Sequence, residues 1–316
     1  MPSICVRALF ALSAVAVSGA ALAQDYPTRP VRILTSTPGG GNDFLARIVA
    51  PALGTALGQQ VVVDNRTSRL VGGLAARATP DGYTLAIGGG TMQYNPITED
   101  ADYNILTDFA PISQLERAPL VLVVHPSLKV GTVKELIAVA RTRTLRYGSG
   151  SAGNTIHISG VMFGQATGLK INRIPYKSTG PALIALLSNE VQMMFATTGG
   201  AIPHVKEGRL VALGVTSAQP SALLPGVPPL ASQGLKEYDI DTIGFILAPR
   251  KTPPNIVQRL NQAVVKIMAQ PEVIEKLAAG GSEAVSSTPE QLAAKLKADD
   301  AWMREMLVKV GVKKSS

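Results

Sequence analysis

A glycine-rich loop near the N-terminus has the residues and the spacing of an anion-binding site. Gly39–Gly41 follow the apolar run Val31–Leu34 and precede Asn42 and Asp43. This order predicts a strand, a tight loop and a helix that Asn42 or Asp43 caps. The free N–H groups of the first helical turn would then bind a carboxylate or a phosphate. The candidate ligand-binding residues of this loop are Thr37, Pro38, Gly39, Gly40, Gly41, Asn42 and Asp43.

The loop carries neither of two common nucleotide-binding fingerprints. Its adjacent glycines lack the Gly-x-Gly-x-x-Gly spacing of dinucleotide-binding folds, and it holds no Gly-Lys-Ser/Thr sequence. A tight turn without a ligand is the alternative interpretation. Three glycines in a row lose extra conformational freedom on folding, so we favour a binding role for them.

Short stretches rich in glycine, hydroxyl and amide groups follow several later apolar runs. Such groups before a helix suit a carboxylate, because they offer it several hydrogen bonds. The candidate binding residues in these stretches are Gly90, Thr91, Ser149, Gly150, Ser151, Gly153, Asn154, His157, Tyr176, Lys177, Thr197 and Thr198. Plainer alternatives are a packed side chain for His157, a solvated lysine at Lys177, and an ordinary loop at the two threonines.

The residues that enzymes and metal sites need are missing from these stretches. Ser149 and Ser151 do not lie in a Gly-x-Ser-x-Gly elbow, as a serine hydrolase would require. His125, His157 and His204 are far apart, without a second histidine or cysteine at metal-ligand spacing. We therefore predict no catalytic residue, no metal and no cofactor.

Residues 1–23 have the composition of a secretory signal peptide. Arg7 precedes the apolar stretch Ala8–Val17, and a small-residue cleavage site ends at Ala23. Because this stretch is too short to span a bilayer, we predict cleavage after Ala23 and an exported protein. Cys5 is the only cysteine and lies in the signal, so the mature chain has no disulfide or thiolate chemistry.

The charge and the composition narrow the class of partner. A formal net charge of +8 is suited to drawing in anionic ligands. Nucleic acid is not the expected partner, because the basic residues are scattered and aromatic residues make up only 4% of the chain. A basic protein that adheres to surfaces is an alternative, and its binding would fade steeply as the salt concentration rises.

The apolar runs and amphipathic segments predict the elements that position these loops. Strands that end in small-residue loops at helix starts occur in both halves of the chain, which predicts an α/β fold with parallel strands. Because ligands bind at the carboxyl ends of such strands, the glycine loops after the first and third strands should share an edge. Val61–Asn65 is expected to be a strand buried on both faces.

The same pattern predicts two lobes with a ligand cleft between them. The predicted boundaries are 24–124 plus 244–316 for the first lobe and 125–243 for the second, with the return crossing between 216 and 244. The C-terminal helices are thereby assigned to the first lobe.

Short motifs follow one another in a distinctive order along the mature chain. They are Tyr26–Val31, Pro38–Asp43, Asp64–Arg66, Pro80–Leu85, Asp108–Ile112, Tyr147–His157, Pro175–Lys177, Pro203–Leu210 and Leu247–Pro249. As a set they resemble the Bug family, the periplasmic solute receptors of tripartite tricarboxylate transporters. The resemblance implies a two-lobed receptor of the type II, Venus flytrap class, without enzymatic activity, that closes on a small organic carboxylate. It implies a monomer whose partners are membrane transporter subunits or a sensor protein.

The resemblance also implies which loops contact the ligand. These are the first glycine loop, the rim Gly89–Gln93 and the loops of the second lobe named above. The chain departs from the family pattern in a shorter loop after Arg66, in Thr197-Thr198 where an acidic residue is usual, and in Ile243 near a usual tryptophan. A rim without that acid favours a mono- or dicarboxylate over an amino acid, whose ammonium group would need it.

Besides the adhesive basic protein described above, three functions remain open at the level of the sequence. A transport receptor is favoured, and the same two-lobed form would also serve a signalling sensor. An exported hydrolase or dehydrogenase is less favoured, because the chain lacks a nucleophile elbow, a mature cysteine and a dinucleotide fingerprint.

Overall fold

The computed structural model describes residues 26–98, 101–150, 154–176, 179–236 and 238–309. Three candidate site residues, Ser151, Gly153 and Lys177, lie outside these ranges, as does the predicted signal peptide at 1–23. No helix of the described ranges is both long enough and apolar enough to cross a membrane.

Strands and helices alternate through most of the described chain. The strands are β1 Val31–Thr35, β2 Val61–Asn65, β3 Thr84–Gly88, β4 Phe109–Val124, β5 Arg146–Ser149, β6 Asn172–Pro175, β7 Met193–Thr197, β8 Val211–Val215, β9 Asp241–Pro249 and β10 Glu283–Ala284. The helices are α1 Gly41–Leu57, α2 Ser68–Ala76, α3 Gly90–Thr98, α4 Val133–Thr142, α5 Thr155–Thr167, α6 Thr179–Leu187, α7 Thr198–Lys206, α8 Pro254–Met268, α9 Pro271–Ala279 and α10 Pro289–Lys309. The predicted α/β class is confirmed.

The strands pair in the order β2-β1-β3-β9-β4-β7-β5-β6, with β8 and β10 paired to β4. β1 is parallel to β2 and β3, and β5 is parallel to β6 and β7, whereas β4 and β9 run antiparallel to their neighbours. β4 pairs with β9 from Phe109 to Pro119 and with β7 from Leu120 to Val124. It thereby joins two half-sheets, the N-terminal half-sheet (β2, β1, β3, β9) and the second half-sheet (β7, β5, β6, with β8).

Apolar side chains pack on the faces of both half-sheets. Val31 and Ile33 of β1 pack on one face, and Leu34 packs on the other, as the alternation of a strand requires. Helix α10 contacts both parts of the molecule: Leu296 packs with the N-terminal half-sheet, and Met303 lies in the core of the second. Residues 244–316 therefore do not pack with one half-sheet alone, and the lobe boundaries stay a prediction.

One local prediction is wrong, and one helix was missed. β2 is not buried on both faces: it is the end strand of the sheet, so one edge lacks a partner, and Val62 is 43% exposed. Residues 90–98 form helix α3, where the sequence indicated only a rim. The sequence signal for this helix is weak because the segment begins with Gly90 and contains Pro96.

Candidate ligand-binding site

The first glycine loop turns into α1 without a side-chain cap. Gly40 is the N-cap, and the N–H of Phe44 donates to its carbonyl at 2.9 Å. Gly39 has φ +81°, a left-handed conformation that favours glycine. The prediction that Asn42 or Asp43 caps the helix is wrong, because the helix already begins at Gly41.

The Asp43 carboxylate instead braces the loop from within the first turn. It is 3% exposed, and its Oδ2 accepts the N–H of Gly39 at 2.8 Å. Its Oδ1 accepts Asn65 Nδ2 at 2.7 Å and lies 3.0 Å from Arg47 Nε. Asn65 Nδ2 also donates to the carbonyl of Ser36 at 2.6 Å, which ties β2 to the start of the loop.

These bonds decide the charge of Asp43. Burial works to raise its pKa, but the hydrogen bonds from Arg47, Asn65 and Gly39 outweigh burial and lower the pKa to about 2. The carboxylate is therefore ionised at neutral pH, with both oxygens committed to its own chain. This arrangement suits Asp43 to positioning the loop, and it leaves Thr37, Pro38, Gly39 and Gly41 exposed at the surface of the loop.

The loop after β3 lies directly beside the first glycine loop. A Cβ atom added to Gly89 would stand 2.8 Å from Asn42 Oδ1 and 3.1 Å from the carbonyl of Ile243. Only a glycine allows this approach. Helix α3 starts next to it, with Gly90 half-buried and Thr91 exposed. The carboxyl ends of β1 and β3 thus form one surface, the N-terminal rim, made of 37–43 and 89–91.

A second rim lies at the carboxyl ends of β5, β6 and β7, and we define it by Ser149, Gly150, Asn154, Tyr176 and Thr197. Asn154 caps α5, since its Oδ1 accepts the N–H of His157 at 2.8 Å. The N–H of Tyr176 donates to the carbonyl of Ser149 at 2.8 Å, while its hydroxyl donates to Glu190 at 2.8 Å. The Tyr176 ring is thus turned toward Glu190.

Arg173 is a residue of this rim that the sequence reasoning missed. From β6 its Nε donates to Ser149 Oγ and its Nη2 to the carbonyl of Gly150, both at 2.7 Å. The signal was present in the sequence: Arg173 lies between Ile171 and Ile174, in the segment that forms β6. A charged residue inside such a strand needs polar partners, and here the rim supplies them.

His157 is neutral in this setting. It is 8% exposed, and burial, reinforced by the positive charge of Arg173, lowers its pKa to about 4. His157 therefore brings no positive charge to an anion at neutral pH.

Thr197 and Thr198 have different surroundings. Thr197 ends β7 and is exposed, whereas Thr198 is fully buried and its hydroxyl donates to the carbonyl of Pro119 on β4. Of the two, only Thr197 has its side chain at the surface. The buried hydroxyl instead ties the start of α7 to the strand that both half-sheets share.

Two glycines pack between the helix starts that lie beside the two rims. A Cβ atom added to Gly281 would stand 2.2 Å from the Cα of Gly199, in the first turn of α7. A Cβ atom on the neighbouring Gly280 would stand 2.6 Å from Phe44 Cε1 of α1. The start of α7 is thereby connected to the start of α1 through two glycines that follow α9.

A groove of about 550 Å³ runs between α5 and β6. Its lining includes His157 and Arg173 together with Tyr147, Gln165 and Lys170. Of the predicted site residues that the structure describes, only His157 lines it, so the groove lies behind the second rim and away from the N-terminal rim. The described residues contain no group of three His, Cys, Asp or Glu side chains suited to a metal ion.

Comparison with known proteins supplies the family. The sequence profile of the "Tripartite tricarboxylate transporter family receptor" matches residues 45–311. The chain belongs to this family. Its members are solute-binding receptors and not enzymes, as the resemblance predicted. The receptor is similar to BugT of Bordetella pertussis, with 33% identity over 280 residues that cover 85% of each chain.

Solved structures of similar sequence have the same fold as this receptor. R. palustris Rpa4515, solved with adipate, has a TM-score of 0.74 at 31% identity and covers 91% of this chain and 99% of its own. A TctC solute-binding protein from Polaromonas has a TM-score of 0.80 at 26% identity, over 90% and 99% of the two chains. MatC from Rhodopseudomonas palustris, solved with malate, has a TM-score of 0.69 at 25% identity, over 89% and 100%. The receptor therefore has the fold of periplasmic solute-binding proteins.

Proposed function

We propose that this receptor is exported by its N-terminal signal, clamps a small mono- or dicarboxylate between its two rims, and delivers it to the membrane subunits of a tripartite tricarboxylate-type transporter. One observation carries the proposal: in a chain of this receptor family, two small-residue rims lie at helix starts, and Gly280 and Gly281 pack between the first turns of α1 and α7 beside them.

The N-terminal rim supplies backbone donors for the carboxylate. The first turn of a helix leaves its N–H groups without partners inside the helix, and its dipole favours a negative group. At α1 the exposed glycines leave room for the ligand, while the bonds of Asp43 keep the loop in place. We assign ligand contact to residues 37–42 and a positioning role to Asp43.

The second rim supplies the opposing contacts. The other end of the ligand would be held by four parts of this rim: Ser149, Gly150, the start of α5 at Asn154, and Thr197. The two candidate residues that the sequence placed nearby, Lys177 and Ser151, belong to the same proposal. Because Thr197 is uncharged, the rim lacks an acid that would hold an ammonium group, which favours a simple carboxylate over an amino acid.

The similar structures support the ligand class. Rpa4515 was solved with adipate and MatC with malate, and both ligands are small dicarboxylates. Closure of two lobes on such a ligand would create the form that the membrane partner recognises.

A thermal-shift titration of the mature chain tests this function. We expect at least one small carboxylate, from a set that includes adipate and malate, to raise the melting temperature progressively with concentration. Matched amines and neutral amides serve as controls. If none of the carboxylates shifts the melting temperature, the proposed ligand class is wrong.

A substitution locates the site. A Cβ atom at Gly41 meets nothing within 4 Å, so Gly41→Leu fills the space before α1 without an internal clash. We expect it to weaken carboxylate affinity by tenfold or more, about 1.4 kcal/mol. Gly131→Leu is the control, since Gly131 lies before α4 and its nearest contact is Glu135 at 3.8 Å. If both variants bound the carboxylate with equal affinity, the glycine loop would not be part of the binding site.

A further inference from the structure

We propose that Arg173 is the positioning residue of the second rim, holding Ser149 and Gly150 in the conformation that receives a carboxylate and placing a positive charge behind them. The proposal rests on the proposed function, and it assigns a role to a residue outside the predicted site.

The geometry of the Arg173 guanidinium supports the proposal that it positions Ser149 and Gly150. Arg173 lies opposite Tyr147 in the pairing of β5 and β6, and its side chain runs along the strands to the rim, two residues further on. There it forms two short hydrogen bonds, to Ser149 Oγ and to the carbonyl of Gly150. Two donors of one planar group fix both the position and the orientation of the loop, which a lysine ammonium would not do.

The surroundings of the rim make these bonds necessary. Ser149 and Gly150 are buried, so their polar atoms need partners within the protein. The N–H of Tyr176 binds the carbonyl of Ser149 at 2.8 Å, which attaches the next loop to the same point. Without Arg173, the Ser149 hydroxyl and the Gly150 carbonyl would each lose a charged partner, and Tyr176 would be held by a looser loop.

The charge of Arg173 carries the second part. Within the described residues it forms no salt bridge with a carboxylate; both of its hydrogen-bond acceptors are neutral oxygens. Among the described residues that line the groove beside it, none is acidic. A positive charge that no neighbouring carboxylate offsets attracts an anion at the rim and disfavours protonation of His157.

Arg173→Met tests the positioning role without a ligand. The side chain borders the groove, so the substitution leaves a solvent-facing gap and not a sealed cavity. We expect hydrogen exchange of the Tyr176 amide to become about tenfold faster, since a lost charged hydrogen bond weakens the loop by roughly that factor. Arg143→Met, an exposed arginine at the end of α4, is the control and should leave this amide unchanged.

The titration of His157 separates the charge from packing. NMR titration should give a higher His157 pKa in Arg173→Met than in the native chain, because a positive neighbour has gone. Arg173→Lys keeps the positive charge and should keep the pKa of His157 low, although it loses the paired hydrogen bonds of the guanidinium. Unchanged Tyr176 exchange and an unchanged His157 titration in Arg173→Met would overturn the proposal, whatever the chain binds.

Adipate affinity, measured by calorimetry, tests the link to ligand binding. We expect Arg173→Met to bind adipate about tenfold or more weakly, Arg173→Lys to fall between, and Arg143→Met to match the native chain. In a Ser149→Ala background the Arg173→Met loss should be smaller, since the two residues act through one bond. Native affinity in Arg173→Met would overturn the positioning role, whereas a native chain that binds no carboxylate would defeat the proposed function alone.

Discussion

The two rims of this receptor are braced by opposite charges. In the N-terminal rim a buried aspartate, Asp43, holds the glycine loop, and Arg47 beside it offsets the negative charge. In the second rim an arginine, Arg173, holds the loop, with neutral oxygens as its acceptors. The same mechanical task, fixing a small-residue turn at a helix start, is solved by an acid on one side and a base on the other.

The difference has an electrostatic consequence for an anionic ligand. The N-terminal rim offers backbone N–H groups and an acid that its own partners neutralise. The second rim adds a positive charge that no described carboxylate pairs with. We therefore expect shape and hydrogen bonds to come mainly from the first rim, and long-range attraction from the second.

The largest effect is expected from a substitution that disrupts the close contact between Gly281 and Gly199. Gly281→Ala places a methyl group 2.2 Å from the Cα of Gly199 and strains a residue at φ +84°. Overpacking and strain together should lower the free energy of unfolding by about 2–4 kcal/mol. Gly58→Ala is the control, because Gly58 has φ +70° with nothing within 4 Å of the added Cβ. Urea unfolding of both variants measures the contact; equal losses would mean that strain alone acts at Gly281.

A smaller effect removes the acidic brace of the first rim. Asp43→Ala leaves the Gly39 N–H and Asn65 Nδ2 without their buried acceptor, and we expect a loss of about 2–3 kcal/mol of unfolding free energy. Asp102→Ala, which breaks an exposed pair with Arg77, should cost about 0–1 kcal/mol. Denaturant titration compares the two. A loss for Asp43→Ala no larger than that of the surface control would refute the bracing role.

The pH dependence of stability sharpens the comparison, because each rim should lose stability in its own pH range. The folded-state pKa of His157, about 4, lies below its ordinary 6.5, so its neutral form stabilises the fold at high pH, and this is lost as pH falls from 6.5 to 4. The folded-state pKa of Asp43, about 2, lies below 3.8, so its contribution is lost between about pH 4 and 2.

Two variants isolate these pH ranges. The difference in stability between His157→Gln and the native chain should change with pH only between 6.5 and 4. The corresponding difference for Asp43→Asn should change only below pH 4. Thermal unfolding of all three chains across pH 2–8 gives the two difference curves. A His157→Gln curve parallel to the native one over its range would show that His157 does not stay neutral in the fold.

Several elements were predictable because their signals are local. The order of strand, glycine loop and helix at 31–57 follows from an apolar run, three glycines and an amphipathic segment, and the structure has β1 and α1 there. The helices at Pro254–Met268 and Pro271–Ala279 begin at prolines and carry clear apolar stripes. The burial of β2 was mispredicted, because a short stretch of sequence does not reveal that a strand lies at the edge of a sheet. Helix α3 was missed because it begins with a glycine.

The candidate site divides in the same way. Glycine loops at the ends of β1 and β3 are readable in the sequence, and parallel pairing brings them together as expected. The roles of Asp43 and Thr198 were not readable. Each side chain turns to a partner that is distant in the chain, Asn65 for the first and Pro119 for the second.

The sequence by itself determined that this chain has small-residue loops at helix starts, a basic charge and the motifs of a carboxylate receptor, because these depend on residue type and short spacing. Only the tertiary structure decided which side chains brace the loops. The bonds of Arg173 to Ser149 and of Asp43 to Asn65 span more than 20 residues. They exist because β6 pairs with β5, and because β2 pairs with β1, whose end leads into the loop before α1. Their physical basis is the need of buried polar groups for partners, which no local pattern reveals.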